Sequence, residues 1–264
     1  MIEIVDSSGL LRARVSPQRG GMVTSLRFEE REYLYLDQAT FEDPSKNVRG
    51  GIPILFPICG PLDQGVWSYK GCQYHMPQHG LARQAVWEVL GQGSDWVEVG
   101  LKWSDQTLTQ YPFRFELKVH YSVVGRTLTI RHTHGNQGSE PMPFQSGLHP
   151  YFRLEGPLSW ELPADRYRDN EKPGSSTQPL DSIPEDWPVL DWELPGPTAP
   201  QARVQDICLH YDSHYRYLVI WHLAGKPFWC LEPWSGPRFG LQRGVDVLTC
   251  PAGQQLETTV KIEV

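Results

Sequence analysis

One glutamate near the C-terminal end of the chain lies between an apolar run and a proline-rich turn. Residues 227–231 are largely apolar and precede Glu232, which is followed by Pro233 and Trp234. The run predicts a strand, and Pro233 and Pro237 are expected to end its ladder because proline has no backbone N–H to donate. Glu232 is therefore expected at a strand end facing a cleft, where burial would raise its pKa towards the range of a general base. A fixed carboxylate beside an indole suits a sugar, and a purely structural strand-end glutamate is the alternative.

Polar residues also stand out in residues 48–53, 78–83 and 144–152. In the first of these segments two glycines follow Arg49. Glycine lets the backbone pass close to a ligand, and the guanidinium offers a planar fork of donors for hydroxyls or phosphate. The segment is not a P-loop, because it lacks the Lys-Ser/Thr pair of that motif. We therefore expect Arg49 to contact a ligand directly.

A histidine in the third segment is a candidate acid. His149 lies between Leu148 and Pro150 and is followed by two aromatic residues. We expect its imidazole to be held on a strand with aromatic rings around it. A hydrogen-bonded core histidine is the alternative, because the functional interpretation needs a carboxylate partner for paired proton transfer. Glu232 is the candidate partner.

The elements that must position these side chains are strands. In residues 113–123 every odd position is apolar and every even position is polar, which predicts a strand with one face in the core and the other in solvent. The pattern recurs in residues 97–103, 128–130 and 256–264, which predicts an antiparallel meander. No long stretch has sustained helical periodicity. The sequence therefore predicts an all-β protein built as a large antiparallel β-sandwich.

We expect one domain over residues 1–264, with a proline-rich excursion at about residues 156–200. The prolines make continuous central strands unexpected in that region. A solvated linker would need no apolar anchors, so the aromatic residues of the segment favour an excursion packed on the sandwich. The prolines and aromatic anchors are Pro157, Pro163, Pro173, Pro179, Pro184, Pro188, Pro195, Pro197 and Pro200, with Trp160, Tyr167, Trp187 and Trp192.

Composition excludes several classes of partner. The chain has 24 Lys and Arg against 31 Asp and Glu, a formal net charge of −7, and its basic residues are scattered. No nucleic-acid partner is expected, because that would require a basic face. The first residues carry acid where a signal peptide needs a basic start, and no apolar stretch approaches membrane-spanning length, so we expect a soluble cytoplasmic protein without a membrane partner.

The five cysteines include no Cys-x-x-Cys pair. This favours cysteines that are reduced and serve as packing residues.

Four motifs follow one another along the chain, namely Arg-Gly-Gly-Ile-Pro, Gln-His-Gly-Leu-Ala-Arg, Gly-Leu-His-Pro-Tyr-Phe and Leu-Glu-Pro-Trp. Their order and spacing resemble the aldose 1-epimerase, or mutarotase, family and its galactose-mutarotase-like β-sandwich. The resemblance spans nearly the whole chain. It implies a cofactor-free reaction that interconverts the α and β anomers of a free sugar. The expected partner is a small-molecule sugar or sugar phosphate, and the expected assembly is a monomer or homodimer.

The resemblance also implies roles for individual residues. Glu232 is similar to the family's general base, which removes the proton from the anomeric hydroxyl, and His149 is similar to its general acid, which protonates the ring oxygen. Rotation about the C1–C2 bond of the opened sugar and reclosure from the other face then give the other anomer. His79 and Arg49 resemble the family's second histidine and its substrate-binding arginine. Asp206 lies where the family places an aspartate that grips sugar hydroxyls.

Arg83 leaves the substrate open. One branch of the family acts on hexose 6-phosphates and is similar in having arginines at the positions of Arg49 and Arg83, and two guanidiniums pair well with a phosphate. Arg83 is alternatively a structural arginine paired with an acidic neighbour. The chain also resembles a bacterial branch whose sugar is uncertain, so a free aldohexose and a hexose 6-phosphate both remain candidates.

Metal chemistry is one rival interpretation, because three pairs of histidines lie close in sequence. A catalytic zinc needs three protein ligands. His132 and His134 share a strand face, yet no third ligand is evident for them, so we expect no metal. The three pairs are His75 with His79, His132 with His134, and His210 with His214.

Two further rivals are an enzyme of another type and a protein without catalysis. A glycoside hydrolase or lyase would combine Glu232 with a second acid, for which Asp206 is the candidate. A non-catalytic carbohydrate-binding or sugar-sensing protein would need neither proton-transfer group. The presence of both His149 and Glu232 therefore favours the epimerase.

Overall fold

The computed structural model describes residues 1–156, 159–172, 174, 176–180 and 189–264. Its strands are mostly short and are connected by tight turns. In chain order they are β1 (Ile2–Val5), β2 (Leu11–Ser16), β3 (Met22–Phe28), β4 (Arg31–Glu32), β5 (Ile54–Leu55), β6 (Val66–Tyr69), β7 (Cys72–His75), β8 (Glu88–Gln92), β9 (Trp96–Lys102), β10 (Phe115–Val124), β11 (Thr127–Asn136), β12 (Met142–Phe144), β13 (Gly147–Leu148), β14 (Tyr151–Arg153), β15 (Trp160–Glu161), β16 (Arg166–Asp169), β17 (Gln178–Pro179), β18 (Val189–Pro195), β19 (Gln201–Val204), β20 (Ile207–Tyr211), β21 (Tyr217–Leu223), β22 (Phe228–Trp234), β23 (Leu248–Cys250) and β24 (Gln255–Glu263).

Helices are few and short in the residues described. They are α1 (Gln38–Glu42), α2 (Asp105–Leu108) and α3 (Gly240–Arg243), and two 3₁₀ turns lie at Asp63–Gly65 and Ala82–Gln84. None of the helices within the described residues has the length and apolar character needed to cross a membrane.

Two large sheets dominate the architecture. The first, here called the meander sheet, has the strand order β15-β19-β20-β24-β11-β10-β9-β8. The second, here called the site sheet, has the order β17-β16-β18-β21-β22-β13-β5, and β14 also pairs with β22. Smaller sheets are formed by β1–β4, by β12 with β23, and by β6 with β7. The strand ladders of both large sheets are antiparallel.

The alternating pattern of the sequence produces the predicted meander. Along β10 the buried residues alternate with half-buried ones from Phe115 to Val123. β10 pairs with β9 on one side and with β11 on the other, and β24 pairs with β11. Burying one large apolar side chain contributes about 1.5–3 kcal/mol. A slip of one residue would move the whole row into solvent, so this burial fixes the register.

The two large sheets pack their apolar faces into a common core. Val119, Ile130 and Ile262 of the meander sheet belong to the same buried cluster as Ile220 and Leu231 of the site sheet. The all-β fold class and the antiparallel β-sandwich predicted from the sequence are therefore confirmed.

β18 corrects the expectation for the proline-rich excursion. This strand of seven residues lies inside the site sheet, between β16 and β21. A central strand is possible there because its interior, residues 190–194, contains no proline. Trp192 of β18 is 1% exposed, and its ring stacks on Tyr167 with 4.0 Å between centroids. Pro157, Pro173, Pro184, Pro188 and Trp187 lie outside the described residues.

β22 continues further than its prolines predict. It runs through Pro233 and ends at Trp234, and Val219 and Leu218 of β21 lie opposite Glu232 and Pro233. On its other side, β22 pairs with β14 only as far as Cys230 and meets β13 at Trp234. Between these two pairings β22 has no described neighbour on that side. Pro233 lies in this gap and is tolerated there, since no described strand would accept a hydrogen bond from a backbone N–H at its position.

Candidate active site

A pocket of about 270 Å³ opens at the site sheet and brings together five of the six side chains expected from the sequence. Arg49, His79, Arg83, His149 and Glu232 all line it. Four of them come from loops or turns, and the β-sandwich supplies the strand that holds Glu232.

Glu232 is fixed by its strand. The residue is 1% exposed and lies opposite Val219 of β21. Trp234 lies two residues later and therefore on the same face of the strand, and its indole Nε1 donates a hydrogen bond of 3.1 Å to Glu232 Oε2. Burial raises the pKa of Glu232 well above its usual range, and the charge of Asp191 raises it further. The carboxyl group is therefore a strong base whenever it is ionised.

His149 follows β13 and faces this carboxyl group. Its Nε2 lies 3.3 Å from Glu232 Oε1, and its backbone N–H donates a 3.0 Å hydrogen bond to the Pro53 carbonyl. The imidazole stacks on Tyr151 with 4.7 Å between ring centroids and 8° between planes. Burial lowers the pKa of His149 to about 3, and the neighbouring charge of Arg83 acts in the same direction.

The two groups form one titrating pair, because they are buried within hydrogen-bonding distance of each other. Burial disfavours both the carboxylate and the imidazolium. In the free protein the pair therefore keeps its proton on Glu232 rather than on His149. Such a pair can give one proton and take another without any change in its total charge, as ring opening of a sugar requires.

His79 is held beside the pair as a neutral donor. Its backbone is left-handed, with φ 67°, and the next residue, Gly80, has no room for a side chain, because a Cβ would lie 2.2 Å from the Phe56 carbonyl oxygen. His79 Nδ1 accepts a 3.1 Å hydrogen bond from the Gly60 N–H, so Nε2 carries the proton. Burial lowers the pKa of His79 well below its usual value, which keeps the ring neutral.

The two arginines expected from the sequence supply positive charge. Arg83 lies on the 3₁₀ turn Ala82–Gln84 and is half-buried. Arg49 is exposed, and its guanidinium carbon lies 6.0 Å from the ring centroid of Trp221. Neither arginine forms an ion pair with any residue in the part of the chain that the structure describes. Both charges are therefore available to a ligand.

The double glycine after Arg49 serves the chain rather than a ligand. A Cβ on Gly50 would lie 2.6 Å from the Tyr35 carbonyl oxygen, and one on Gly51 would lie 2.4 Å from the Val23 carbonyl oxygen. The two glycines therefore let their own backbone lie close to the neighbouring backbone, where the sequence led us to expect a ligand. This close packing fixes the loop that presents Arg49.

Asp206 is the expected site residue that the structure places elsewhere. It forms an ion pair with Arg31, whose guanidinium also lies 3.1 Å from Glu155, and it does not line the pocket. The assignment of Asp206 to sugar hydroxyls therefore needs correction, because the turn between β19 and β20 carries it to the surface.

An aspartate that the sequence reasoning missed lies in the pocket instead. Asp191 of β18 lines it together with Trp221 and Arg238. The Asp191 carboxylate accepts a 3.0 Å contact from the Arg238 guanidinium and a 2.8 Å hydrogen bond from Asn170. A signal was present in Leu190-Asp191-Trp192-Glu193-Leu194, where acids alternate with large apolar residues as in a half-buried strand.

Potential metal ligands gather at the same place. In the described residues one group of three such side chains lies within reach of a single ion, namely His149, Cys230 and Glu232. Within the part of the chain that the structure describes, the three histidine pairs considered from the sequence contribute no such group. His132 and His134 instead lie buried near Tyr215 and Thr258. The five cysteines are free thiols.

Solved structures share the whole fold. The Slr1438 protein from Synechocystis sp. PCC 6803 is 35% identical, with a TM-score of 0.95 over 99% of this chain and 94% of that chain. A galactose mutarotase-like protein from Lactobacillus casei ATCC 334 is 24% identical, with a TM-score of 0.82 over 100% of this chain and 99% of that chain. The second likeness shows the galactose mutarotase-like fold.

Curated proteins and family models extend the comparison to sequence. A "putative glucose-6-phosphate 1-epimerase" of Escherichia coli (strain K12) is 32% identical over 133 residues, which cover 47% of this chain and 39% of that protein. The family model for aldose 1-epimerase matches residues 5–227, which include Arg49, His79 and His149 and end five residues before Glu232. With this match over most of its length, the chain belongs to the aldose 1-epimerase family.

Proposed function

We propose that this protein is an aldose 1-epimerase that interconverts the α and β anomers of an aldohexose. The observation that carries the proposal is the 3.3 Å approach of His149 Nε2 to Glu232 Oε1 inside a pocket that Arg49, His79 and Arg83 also line. Opening a pyranose ring needs a base at the anomeric hydroxyl and an acid at the ring oxygen, and this pair supplies both. Family membership supports the same reaction type.

In the proposed reaction Glu232 takes the proton of the anomeric hydroxyl while His149 protonates the ring oxygen. The reactive state is the carboxylate with the imidazolium, whereas burial favours the neutral pair. A sugar hydroxyl that donates to Glu232 stabilises the carboxylate, and so do the charges of Arg238 and Arg83. Binding of the sugar therefore moves the shared proton to His149. After rotation about C1–C2, the reverse transfers close the ring and restore the pair.

A hexose-6-phosphate 1-epimerase is the second candidate. Arg49 and Arg83 have no ion-pair partner in the described residues, and guanidiniums bind phosphate with paired, charge-assisted hydrogen bonds. The partial likeness to a protein named for glucose 6-phosphate supports the same substrate class. A non-catalytic sugar sensor would use the same pocket without proton transfer.

Glu232→Gln tests the proposal. Glutamine keeps the shape of the side chain but cannot accept the proton, so we expect the anomerisation rate measured by polarimetry to fall by about two to four orders of magnitude. Folding should be retained. Asp6→Asn is the matched control, because Asp6 is also a buried acid, 4% exposed, but does not line the pocket, and it should keep most of the rate.

Near wild-type rates in Glu232→Gln would refute the assignment of the base. A wild-type protein that binds sugars in calorimetry but does not speed their anomerisation would instead support the sensor.

A further inference from the structure

A thiol lies behind the proposed acid and base. Cys230 precedes Glu232 by two residues on β22, so both side chains point to the same face of the strand. Cys230 is 0% exposed and lies opposite Tyr151 of β14 and Trp221 of β21. Anomerisation by a carboxyl and an imidazole gives this thiol no role.

The three side chains together make a ligand set for a soft divalent cation. One ligand atom each from His149, Cys230 and Glu232 lies within 4.8 Å of the other two, and the nitrogen and oxygen are already 3.3 Å apart. Around a tetrahedral zinc ion such atoms lie about 3.3–3.6 Å from one another, given zinc bonds of about 2.0–2.3 Å. Movements of about 1 Å by the side chains of Cys230 and its neighbours would bring the three ligand atoms to these separations. Small side-chain rotations are enough for such a shift.

The chemistry of the set selects the ion. Thiolate favours zinc and other soft ions over magnesium or calcium, which prefer oxygen ligands. His149 and Glu232 line the pocket, so an ion entering from solvent meets them first. Its binding releases two protons to solvent, one from the Cys230 thiol and one from the Glu232–His149 pair.

We propose that His149, Cys230 and Glu232 form an inhibitory binding site for a thiophilic divalent cation such as Zn²⁺ or Cd²⁺. The bound ion takes up the lone pairs that proton transfer needs. The metal-free protein is the active form. Inhibition rests on the proposed function, whereas metal binding rests on the geometry alone.

Cadmium reports the site directly, because a cadmium–thiolate bond gives a charge-transfer band in the ultraviolet. Metal-free wild-type protein titrated with Cd²⁺ should develop this band with one ion per chain. Cys230→Ala should abolish the band and weaken cadmium binding by at least about tenfold to a hundredfold. Cys208→Ala is the matched control, because Cys208 is also a buried thiol but lies on β20 of the meander sheet, outside the ligand group. Its band should be unchanged.

A second variant keeps the test decisive if Cys230→Ala does not fold. Glu232→Gln retains the thiol but loses a charged ligand, so the band should persist while cadmium affinity falls. No band in the wild type, a band that survives Cys230→Ala, or cadmium affinity insensitive to Glu232→Gln would overturn the site. A band that disappears in Cys72→Ala would assign it to the exposed thiol and would also overturn the site.

Activity gives an independent readout. If the protein is an epimerase, Cd²⁺ should stop wild-type anomerisation and EDTA should restore it, while Cys230→Ala should keep its own metal-free rate in Cd²⁺. Loss of activity on chelation would contradict the inhibitory role. A protein without epimerase activity that still shows the Cys230-dependent band would refute the proposed function and leave the metal site standing.

Discussion

At the scale of single residues, the pocket combines a neutral proton-sharing pair with two arginines that form no ion pair among the described residues. Glu232 and His149 are each neutral by burial, and His79 is neutral as well. Arg238 is compensated by Asp191. Arg49 and Arg83 therefore give the site a net positive character within the described residues. A neutral sugar needs no such excess, whereas a phosphate dianion does.

Arg83→Ala should distinguish the two substrate classes. A well-formed charge-assisted contact contributes about 1.5–3 kcal/mol, which corresponds to about one to two decades in binding. We expect kcat/KM for glucose 6-phosphate to fall by that factor, with little change for glucose. The measurement compares both substrates in wild type and variant, and Arg83→Lys, which keeps the charge, should recover part of the loss.

Equal losses on both sugars would make Arg83 a structural residue. If the wild type turns over both sugars equally well, the free-sugar epimerase is the better description.

At the scale of elements, the sequence predicted the strands in which apolar and polar residues alternate without interruption. The meander from β9 to β11 and the C-terminal strand β24 follow from strict alternation, because period-two burial is a local property. β18 was missed because the prolines that bracket it masked a short alternating run. The end of β22 was misplaced because tolerance of Pro233 depends on a gap between β13 and β14, which only the assembled sheet defines.

The candidate site likewise has residues that local sequence patterns predict and residues that only the assembled sheets define. The sequence singled out Glu232, His149, His79, Arg49 and Arg83 because each lies in a distinctive local motif. The structure brings all five to one pocket, and their roles stay predictions. Only the long-range pairing of strands decides which of the two aspartates reaches the pocket. Asp191 reaches it because β18 pairs with β21 in the site sheet. Asp206 does not, because it lies in the turn after β19.

Asp191→Asn tests the role of β18 through the pH dependence of the reaction. The charge of Asp191 raises the pKa of Glu232, so its removal should lower that pKa. The pair is competent while it holds its one proton, and it loses that proton at the pKa of Glu232, so the alkaline limb of the kcat/KM profile should move to lower pH. Asp206→Asn, on the surface, is the control and should leave the limb in place. A limb that moves with Asp206→Asn but not with Asp191→Asn would contradict this account.

At the scale of the whole molecule, we propose that the chain forms one domain. One buried cluster includes Ile4 near the N-terminus, Trp192 of the excursion and Val264 at the C-terminus. Both large sheets contribute side chains to this cluster. Unfolding of one sheet would therefore expose the buried apolar face of the other.

This proposal predicts one cooperative unfolding transition. Ile130 of the meander sheet and Ile220 of the site sheet are matched probes, since they are 0% and 2% exposed and share the cluster. Truncating a buried isoleucine to alanine costs about 2–5 kcal/mol. In urea, tryptophan fluorescence and far-UV circular dichroism should give coincident transitions for the wild type, and Ile130→Ala and Ile220→Ala should each move both signals together to lower urea. Two separate transitions, of which each variant moves only one, would show that the sheets unfold independently and that the chain is not one domain.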